Sequence, residues 1–171
     1  MKILIIAFMI SIGMSENSIK LKTVDYVDIE KFMGKWFVVG VIPTFAEKGA
    51  VNAIETYELN KNGNIDITFT HHKKNPKGKF KEYHPKGFIY DHETNAEWRV
   101  QFFWPFKFKY LVIDLAEDYR YTVIGVPNKK FLWIMARDTQ LSNEDNQIIR
   151  DKLLEQGYDI TKIVDVPQIW D

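Results

Sequence analysis

"FMGKWFVVGVIPTFAEKG", which runs from Phe32 to Gly49, contains a strand-like run that is apolar on both faces. With a two-residue period, one face of this strand carries Trp36, Val38, Gly40 and Ile42. The other face carries Phe37, Val39 and Val41. Because neither face is polar, both must be covered, either by protein or by a molecule that the protein holds. Which of the two covers the inner face decides the function.

The composition is that of one globular domain. The chain has 171 residues, of which 46% are hydrophobic and 15% aromatic, which is enough for a substantial core. Its formal net charge is zero, which argues against nucleic acid as a partner. The basic run from Lys73 to Lys81 is interpreted as a solvated loop, with a membrane-surface patch as the alternative. The sequence contains no cysteine, which excludes disulfides, thiolate catalysis and cysteine-based metal sites.

The N-terminal segment has the pattern of a secretory signal. Lys2 precedes an apolar stretch from Ile3 to Gly13, and a polar segment begins at Ser15. A membrane span needs roughly twenty apolar residues, so this stretch is too short to be one. We therefore expect residues 1–14 to be a signal peptide and residues 15–171 to be the mature domain. The mature protein is then periplasmic or secreted.

The rest of the chain alternates short β-rich runs with turn signals. Asn62-Gly63 separates two such runs and predicts a hairpin. Further turn sequences stand at residues 75–78, 92–95 and 127–130. From Gly34 onward this spacing predicts about eight strands, each adjacent to its neighbour in sequence. Such a meander would most simply close into an antiparallel up-and-down barrel, because closure removes the exposed edges of a sheet.

One helix follows the predicted strands. Ser142 is its expected N-cap, with Asp145 reaching back to complete the cap, and Gly157 is its expected end. The sequence "ITKIVDV", residues 160–166, then predicts a short final strand. The fold class is therefore all-β: an eight-stranded antiparallel barrel with one C-terminal α-helix.

Three motifs in this order resemble those of the lipocalin family: "GKWF" at residues 34–37, "DLAEDYRYTVIG" at residues 114–125 and "FLWIMAR" at residues 131–137. "FAEKG" at residues 45–49 and "FFWPF" at residues 102–106 are similar to the sequences of bacterial outer-membrane lipocalins and their apolipoprotein D-like relatives. The resemblance covers nearly everything from Asp28 to Val166.

The resemblance also implies roles for three residues. In that family the Trp of the first motif closes the narrow end of the barrel, and the Arg after the last strand lies across its ring. Trp36 and Arg137 would be this pair, and Gly34 would let the chain enter closely. A guanidinium over an indole contributes ~1–2 kcal/mol when partly desolvated. Bacterial members also carry a lipid-bearing Cys after the signal, whereas this chain has Met14 there, so association with the outer membrane stays open.

Alternating aromatic and aliphatic positions predict a cavity inside the barrel. The candidate ligand-binding residues are Val38, Ile42, Glu55, Tyr57, Phe69, Phe88, Tyr90, Phe102, Trp104, Tyr110 and Trp133. Glu55 shares parity with Tyr57, although an exposed edge position is an equal alternative for it. The alternative for the whole set is a barrel that its own side chains fill.

No residue pattern indicates catalysis, a cofactor or a metal. His71 and His72 are adjacent on a strand, so they face opposite sides and cannot share a metal ion. His84 and His92 lie ~26 Å apart along a straight strand. We therefore expect no catalytic residue, no cofactor and no metal ligand.

The function implied by the resemblance is binding and carriage of a lipophilic molecule, a fatty acid or a lysophospholipid, in the cell envelope. One alternative is an enzyme that acts on a lipophilic substrate, which turnover dependent on Glu55 or a tyrosine would support. A second alternative is an interaction module that binds protein partners through its outer loops. The oligomeric state stays open.

Overall fold

The structure is a computed structural model that describes residues 19–170, so the proposed signal peptide, residues 1–14, lies outside the described residues. The strands, in chain order, are β1 (Gly34–Ile42), β2 (Ala50–Leu59), β3 (Ile65–Lys73), β4 (Phe80–Tyr83), β5 (Lys86–Ile89), β6 (Glu97–Phe103), β7 (Phe106–Leu115), β8 (Tyr121–Gly125), β9 (Leu132–Ala136) and β10 (Val164–Asp165). The helices are α1 (Ile29–Phe32) and α2 (Asn143–Glu155), and a short 3₁₀ helix spans Ile160–Lys162.

The sheet closes into the predicted barrel of eight antiparallel strands. Each strand pairs with its neighbour in sequence, and β1 pairs with β9 to close the ring. Both β4 and β5 pair with β3, so they form one barrel strand that is interrupted at His84 and Pro85. The Asn62-Gly63 turn joins β2 to β3 as predicted, with Gly63 at φ 75°, a value that glycine adopts without strain.

A β-bulge in β1 changes which of its side chains face inward. Val38 pairs with Met135 and Gly40 pairs with Ile134, so one extra residue of β1 lies between these pairs. Before the bulge, Trp36 and Val38 face inward, and after it Val41 takes the inward position. Ile42 instead packs outside the barrel, beneath α2. The expectation that Ile42 faces the cavity is therefore wrong, because a bulge shifts the two-residue alternation by one.

The narrow end of the barrel is filled by an inner cluster of aromatic side chains. Its fully buried members at this end are Phe32, Trp36, Tyr57 and Trp98. The ring of Phe32 lies 5.2 Å from those of Trp36 and Trp98 and 5.5 Å from that of Tyr57, in tilted or edge-on contact. These large rings fill this end of the barrel.

Arg137 seals this end from outside. Its guanidinium lies 3.6 Å from the centre of the Trp36 ring, so the predicted pair is in contact. The same group donates hydrogen bonds to the carbonyl oxygens of Lys31, Phe32, Met33 and Lys35 at 2.7–3.2 Å. Gly34, at φ 93°, lets the chain turn beneath it. One side chain thereby joins the N-terminal turn, residues 31–33, to β1 and β9.

Helix α2 packs against the outer face of the barrel through an outer cluster that includes Leu132, Ile134, Ile149 and Leu153. Ser142 caps α2 as predicted and accepts a hydrogen bond from the Asp145 amide at 3.0 Å. The Asp145 carboxylate does not reach back to complete the cap; it accepts from the Arg120 guanidinium at 3.0 and 2.7 Å. This ion pair ties the start of α2 to the barrel.

The C-terminal segment fills a gap between β1 and β2. The predicted final strand is only Val164–Asp165, because the residues before it form the 3₁₀ helix. This strand pairs with Gly40 and Val41 of β1. Beyond it, the Gln168 side chain donates to the carbonyls of Val38 and Ala53 at 2.8 and 3.0 Å. Within residues 19–170, neither α-helix is long and apolar enough to cross a membrane.

We predict that Trp36→Ala and Arg137→Ala each destabilise the fold and that their effects are coupled. Truncating a buried Trp costs ~3–5 kcal/mol. Losing a charged donor to several carbonyls costs ~2–4 kcal/mol. Residues in contact couple by ~0.5–3 kcal/mol, which a double-mutant cycle of urea unfolding measures.

Arg99→Ala is the matched control for Arg137→Ala. Its guanidinium lies 3.7 Å from the exposed Tyr90 ring on the outside of the barrel and 2.6 Å from the Glu97 carboxylate. Because it donates to only one backbone carbonyl and lies outside the core, its loss should cost less than the loss of Arg137. Simple additivity between Trp36 and Arg137 would contradict the coupling.

Candidate functional site

A cavity of about 550 Å³ occupies the half of the barrel opposite Trp36 and Arg137. Its walls come from the ends of the strands and from loops that lie between β1 and β2 and between β8 and β9. Five predicted ligand-binding residues line it: Glu55, Phe69, Phe102, Tyr110 and Trp133. The expected inward direction of Glu55 is therefore observed, and its side chain is only 8% exposed.

Val38 and Tyr57 face inward but do not line the cavity. Both are almost fully buried in the inner cluster. Tyr57 lies two residues nearer the closed end of β2 than Glu55, so its ring forms part of the floor beneath the cavity.

Three other predicted residues lie outside the barrel or at its tip. Phe88 lies under the Lys107 ammonium, 3.5 Å from it, and Tyr90 stacks with Arg99. Their predicted inward direction is wrong, because Gly87 and Ile89 take the inner positions of β5. A Cβ on Gly87 would lie 3.2 Å from that of Ile65, which leaves no room for a ring there. Trp104 also does not line the cavity; it is 85% exposed in the turn between β6 and β7.

Several residues of the cavity wall were not among the predicted ligand-binding residues: Ile67, Tyr83, Val100, Lys107, Phe108 and Phe131. Ile67 and Val100 share strand parity with Phe69 and Phe102, so the same alternation could have found them. For Lys107 no such signal exists, since nothing in its local sequence distinguishes it from a solvated lysine.

The cavity floor contains a carboxyl group held by two phenols. The hydroxyl groups of Tyr57 and Tyr110 bond to each other, and both reach Oε2 of Glu55. No described residue donates to Oε1. Burial raises the pKa of Glu55 from 4.5 to about 7, with a smaller contribution from the nearby Glu47, although the bonds from the tyrosines oppose the shift. Below neutral pH the floor is therefore an uncharged, hydrogen-bonding carboxylic acid.

Glu47 fixes the cavity wall on the side of the β1–β2 loop. Its Oε1 accepts a hydrogen bond from the Trp133 indole at 2.5 Å. Its Oε2 accepts from the backbone amide of Thr44 at 2.9 Å and from the Thr44 hydroxyl at 2.6 Å. The "FAEKG" segment therefore orients Trp133 through a buried carboxylate.

His71 lies behind the wall, in contact with the rings of Phe69 and Tyr83, which also contact each other. It is fully buried, and no described residue bonds to its Nε2. Burial lowers the pKa of His71, which keeps the ring neutral. Among residues 19–170, no group of His, Asp or Glu side chains is arranged to hold a metal ion.

The polar groups are divided between the two ends of the cavity. Glu55 lies at the floor, whereas Lys107 and Lys109 are exposed residues of the mouth. Their ammonium groups lie on the outer face of the barrel, where that of Lys107 is 3.5 Å from the Phe88 ring and that of Lys109 is 3.6 Å from the Glu97 carboxylate. Between them the wall consists mainly of rings and branched aliphatic chains. This arrangement suits an elongated molecule with an apolar body and a polar or anionic head at the mouth.

Comparison with known proteins gives consistent matches. Residues 27–168 match the lipocalin-like domain family. The chain is 29% identical over 161 residues to temperature-induced lipocalin-1 of Arabidopsis thaliana, covering 87% of this chain and 83% of the relative. It is 27% identical over 162 residues to the outer membrane lipoprotein Blc of Vibrio cholerae, covering 92% of this chain and 90% of the relative. It is 29% identical over 150 residues to apolipoprotein D of Mus musculus, covering 82% of this chain and 77% of the relative.

The fold is also similar to that of solved structures. The crystal structure of lobster apocrustacyanin A1 superposes with a TM-score of 0.68 at 11% sequence identity, covering 89% of this chain and 92% of that chain. At this identity the likeness concerns the fold alone.

We predict that Glu55 makes the stability of the protein fall as pH rises from 4.5 to about 7. Over this window the unfolded state loses the Glu55 proton while the folded state keeps it, because the folded pKa is the higher one. The shift corresponds to about 3 kcal/mol of stability that is present below pH 4.5 and absent above pH 7. Urea unfolding measures the free energy of unfolding of Glu55→Gln and of wild type at each pH. As the pH rises through this range, the difference between the two should change by about that amount in favour of Glu55→Gln.

Glu58→Gln is the matched control, because Glu58 is an exposed carboxylate on the same strand. It should leave the pH dependence of unfolding unchanged. The same pH dependence in wild type and Glu55→Gln would contradict the assignment to Glu55.

Proposed function

The chain belongs to the lipocalin-like domain family, and on that premise we propose that it binds and carries a fatty acid or a lysophospholipid in its barrel cavity. Members of this family are in general carriers of small hydrophobic molecules rather than enzymes. The observation that carries the proposal is the cavity itself: about 550 Å³, open at one end and walled mainly by apolar side chains. This volume lies within the range of ~300–1,000 Å³ typical of small-molecule sites.

The acyl chain enters first and the head group stays at the mouth. A carboxylate or phosphate at the floor would lie beside Glu55 and near Glu47, which disfavours it. At the mouth, the head group stays in contact with solvent, so its charge keeps its hydration. The aromatic wall between these ends contacts the methylene chain.

The apolar wall supplies most of the affinity. Burying a sixteen-carbon chain gains about 12 kcal/mol at ~0.8 kcal/mol per methylene. Association and ordering of the chain offset several kcal/mol of this gain, which leaves an affinity of around micromolar or tighter. The head group adds less, because exposed charge pairs contribute only ~0–1 kcal/mol.

The proposed place of action is the cell envelope or the exterior of the cell. One relative is an outer membrane lipoprotein of Vibrio cholerae, and the apolar stretch from Ile3 to Gly13 supports export with cleavage near Met14 or Ser15. We expect N-terminal sequencing of the protein from fractionated cells to find a mature chain that starts there. An intact N-terminus in the cytoplasm would contradict export.

We predict that affinity rises steadily with acyl chain length and depends less on the head group. The reason is that each added methylene buries more apolar surface against the wall. Titrating saturated fatty acids and lysophospholipids of increasing length, while following the fluorescence of Trp133 in a Trp104→Phe background, measures this dependence. Affinity that does not change with chain length would contradict the proposal.

A pair of variants on β6 tests whether the cavity is the site. Val100 lines the cavity, and Gln101 follows it on the opposite face of the strand. We expect Val100→Trp to fill the cavity and weaken lipid binding by about tenfold or more. Gln101→Trp should bind as wild type does, with thermal unfolding confirming that both variants fold. Equal binding by both variants would place the ligand elsewhere.

A further inference from the structure

The hairpin between β6 and β7 exposes an unusual set of aromatic rings at the mouth of the cavity. We call it the aromatic tip; it consists of Phe102, Phe103, Trp104, Phe106 and Phe108. Trp104 is 85% exposed, and the other four are 49–60% exposed. Phe45, in the β1–β2 loop that also borders the cavity, is 88% exposed. Contiguous apolar surface of this kind on a soluble protein indicates an interaction site.

The same end of the barrel carries a strong positive charge. We define the open-end segments as residues 43–49, 74–80, 102–109 and 126–131, which contain the loops at the end away from Trp36. They contain eight lysines: Lys48, Lys74, Lys77, Lys79, Lys107, Lys109, Lys129 and Lys130. Their one acidic residue is Glu47, which is buried. Because the whole chain has zero net charge, the rest of the molecule is acidic and the charge is polarised along the barrel.

We propose that the open end of the barrel docks on an anionic lipid bilayer, with the aromatic tip inserted into the interface and the lysines at the lipid head groups. Aromatic rings are favoured at the level of the head groups, and lysines near an anionic surface are attracted to it. The proposal of docking depends only on the aromatic tip and the lysines. The consequence, that a ligand passes between bilayer and cavity without crossing water, rests on the proposed function.

The distribution of these residues favours a bilayer over a protein partner. Six of the lysines lie on three separate loops around the mouth, and Lys107 and Lys109 lie at the start of β7. The aromatic tip projects from one side of the mouth. A flat anionic surface contacts all of them at once, so their contributions add. A protein partner seated on the same surface would cover the cavity mouth.

Vesicle flotation tests the docking. We expect wild type to float with vesicles of phosphatidylcholine and phosphatidylglycerol, less with phosphatidylcholine alone, and less at high salt. The variant Phe103→Ser/Trp104→Ser/Phe106→Ser should lose binding by about tenfold or more, because it removes the inserted rings. These three residues do not line the cavity, so its ligand binding should persist.

The matched control for this triple variant is Tyr26→Ser/Leu59→Ser/Tyr90→Ser, which removes exposed apolar side chains away from the open end. It should bind vesicles as wild type does. Wild type that fails to bind anionic vesicles, or equal binding by both triple variants, would overturn the proposal. Association of two copies through the aromatic tip, with no vesicle binding, would also overturn it.

Charge reversal tests the lysines separately. Lys77→Glu/Lys79→Glu lies on the β3–β4 turn, outside the cavity wall, and should weaken binding to anionic vesicles by about tenfold or more. Lys61→Glu/Lys86→Glu makes the same change of charge in exposed positions away from the mouth and should have a much smaller effect. Equal effects of both pairs would show a response to net charge alone and would overturn the oriented docking.

Trp104 provides a direct readout of insertion. Its emission should shift to the blue when anionic vesicles are added, and Trp104→Phe should lack that shift. No shift from Trp104 in protein that floats with vesicles would overturn insertion of the tip. Vesicle binding without any bound lipid in the cavity would contradict the proposed function and leave the docking intact.

Discussion

The guanidinium of Arg137 is the contact on which the rest of the barrel depends. It lies against the Trp36 ring and donates to carbonyl oxygens of the N-terminal turn, so one side chain holds β1, β9 and the chain that precedes them. Because the barrel closes at the β1–β9 pairing, this seam keeps the sheet free of exposed edges. The aromatic face and the carbonyls together replace the water that the charge loses.

Dense packing at the closed end of the barrel compensates for the cavity at the open end. The inner cluster around Trp36 and Trp98 packs densely, and α2 covers the outer wall through Ile149 and Leu153. These two clusters provide the dispersion contacts and apolar burial that a cavity of about 550 Å³ forgoes. Glu55 lies where the filled half meets the hollow half. Its proton is kept because an ionised carboxylate there would have only the two phenols in place of water.

The surface of the barrel, like its interior, differs between the two ends. The open end combines exposed rings with lysines, while acidic side chains predominate elsewhere, and the two cancel to a net charge of zero. A net charge of zero therefore conceals an oriented electrostatic surface. The run from Lys73 to Lys81 is an exposed loop with the strand ends that flank it, as interpreted from sequence, and it shares the open end with the aromatic tip.

The sequence by itself determined the barrel and the C-terminal helix, because turn residues and strand alternation are local signals. The contact between Trp36 and Arg137 was expected only from the resemblance of the ordered motifs to those of the family. For Glu55 the sequence left an inward and an exposed position as equal alternatives, and the structure places it inside. Tertiary structure alone decided that Ile42 faces outward, since a bulge forms only when β1 and β9 pair. It also decided that Phe88 lies outside, because Ile65 approaches Gly87 too closely for the opposite choice. The lysines of the mouth come together only because closure of the barrel brings loops distant in sequence to one end.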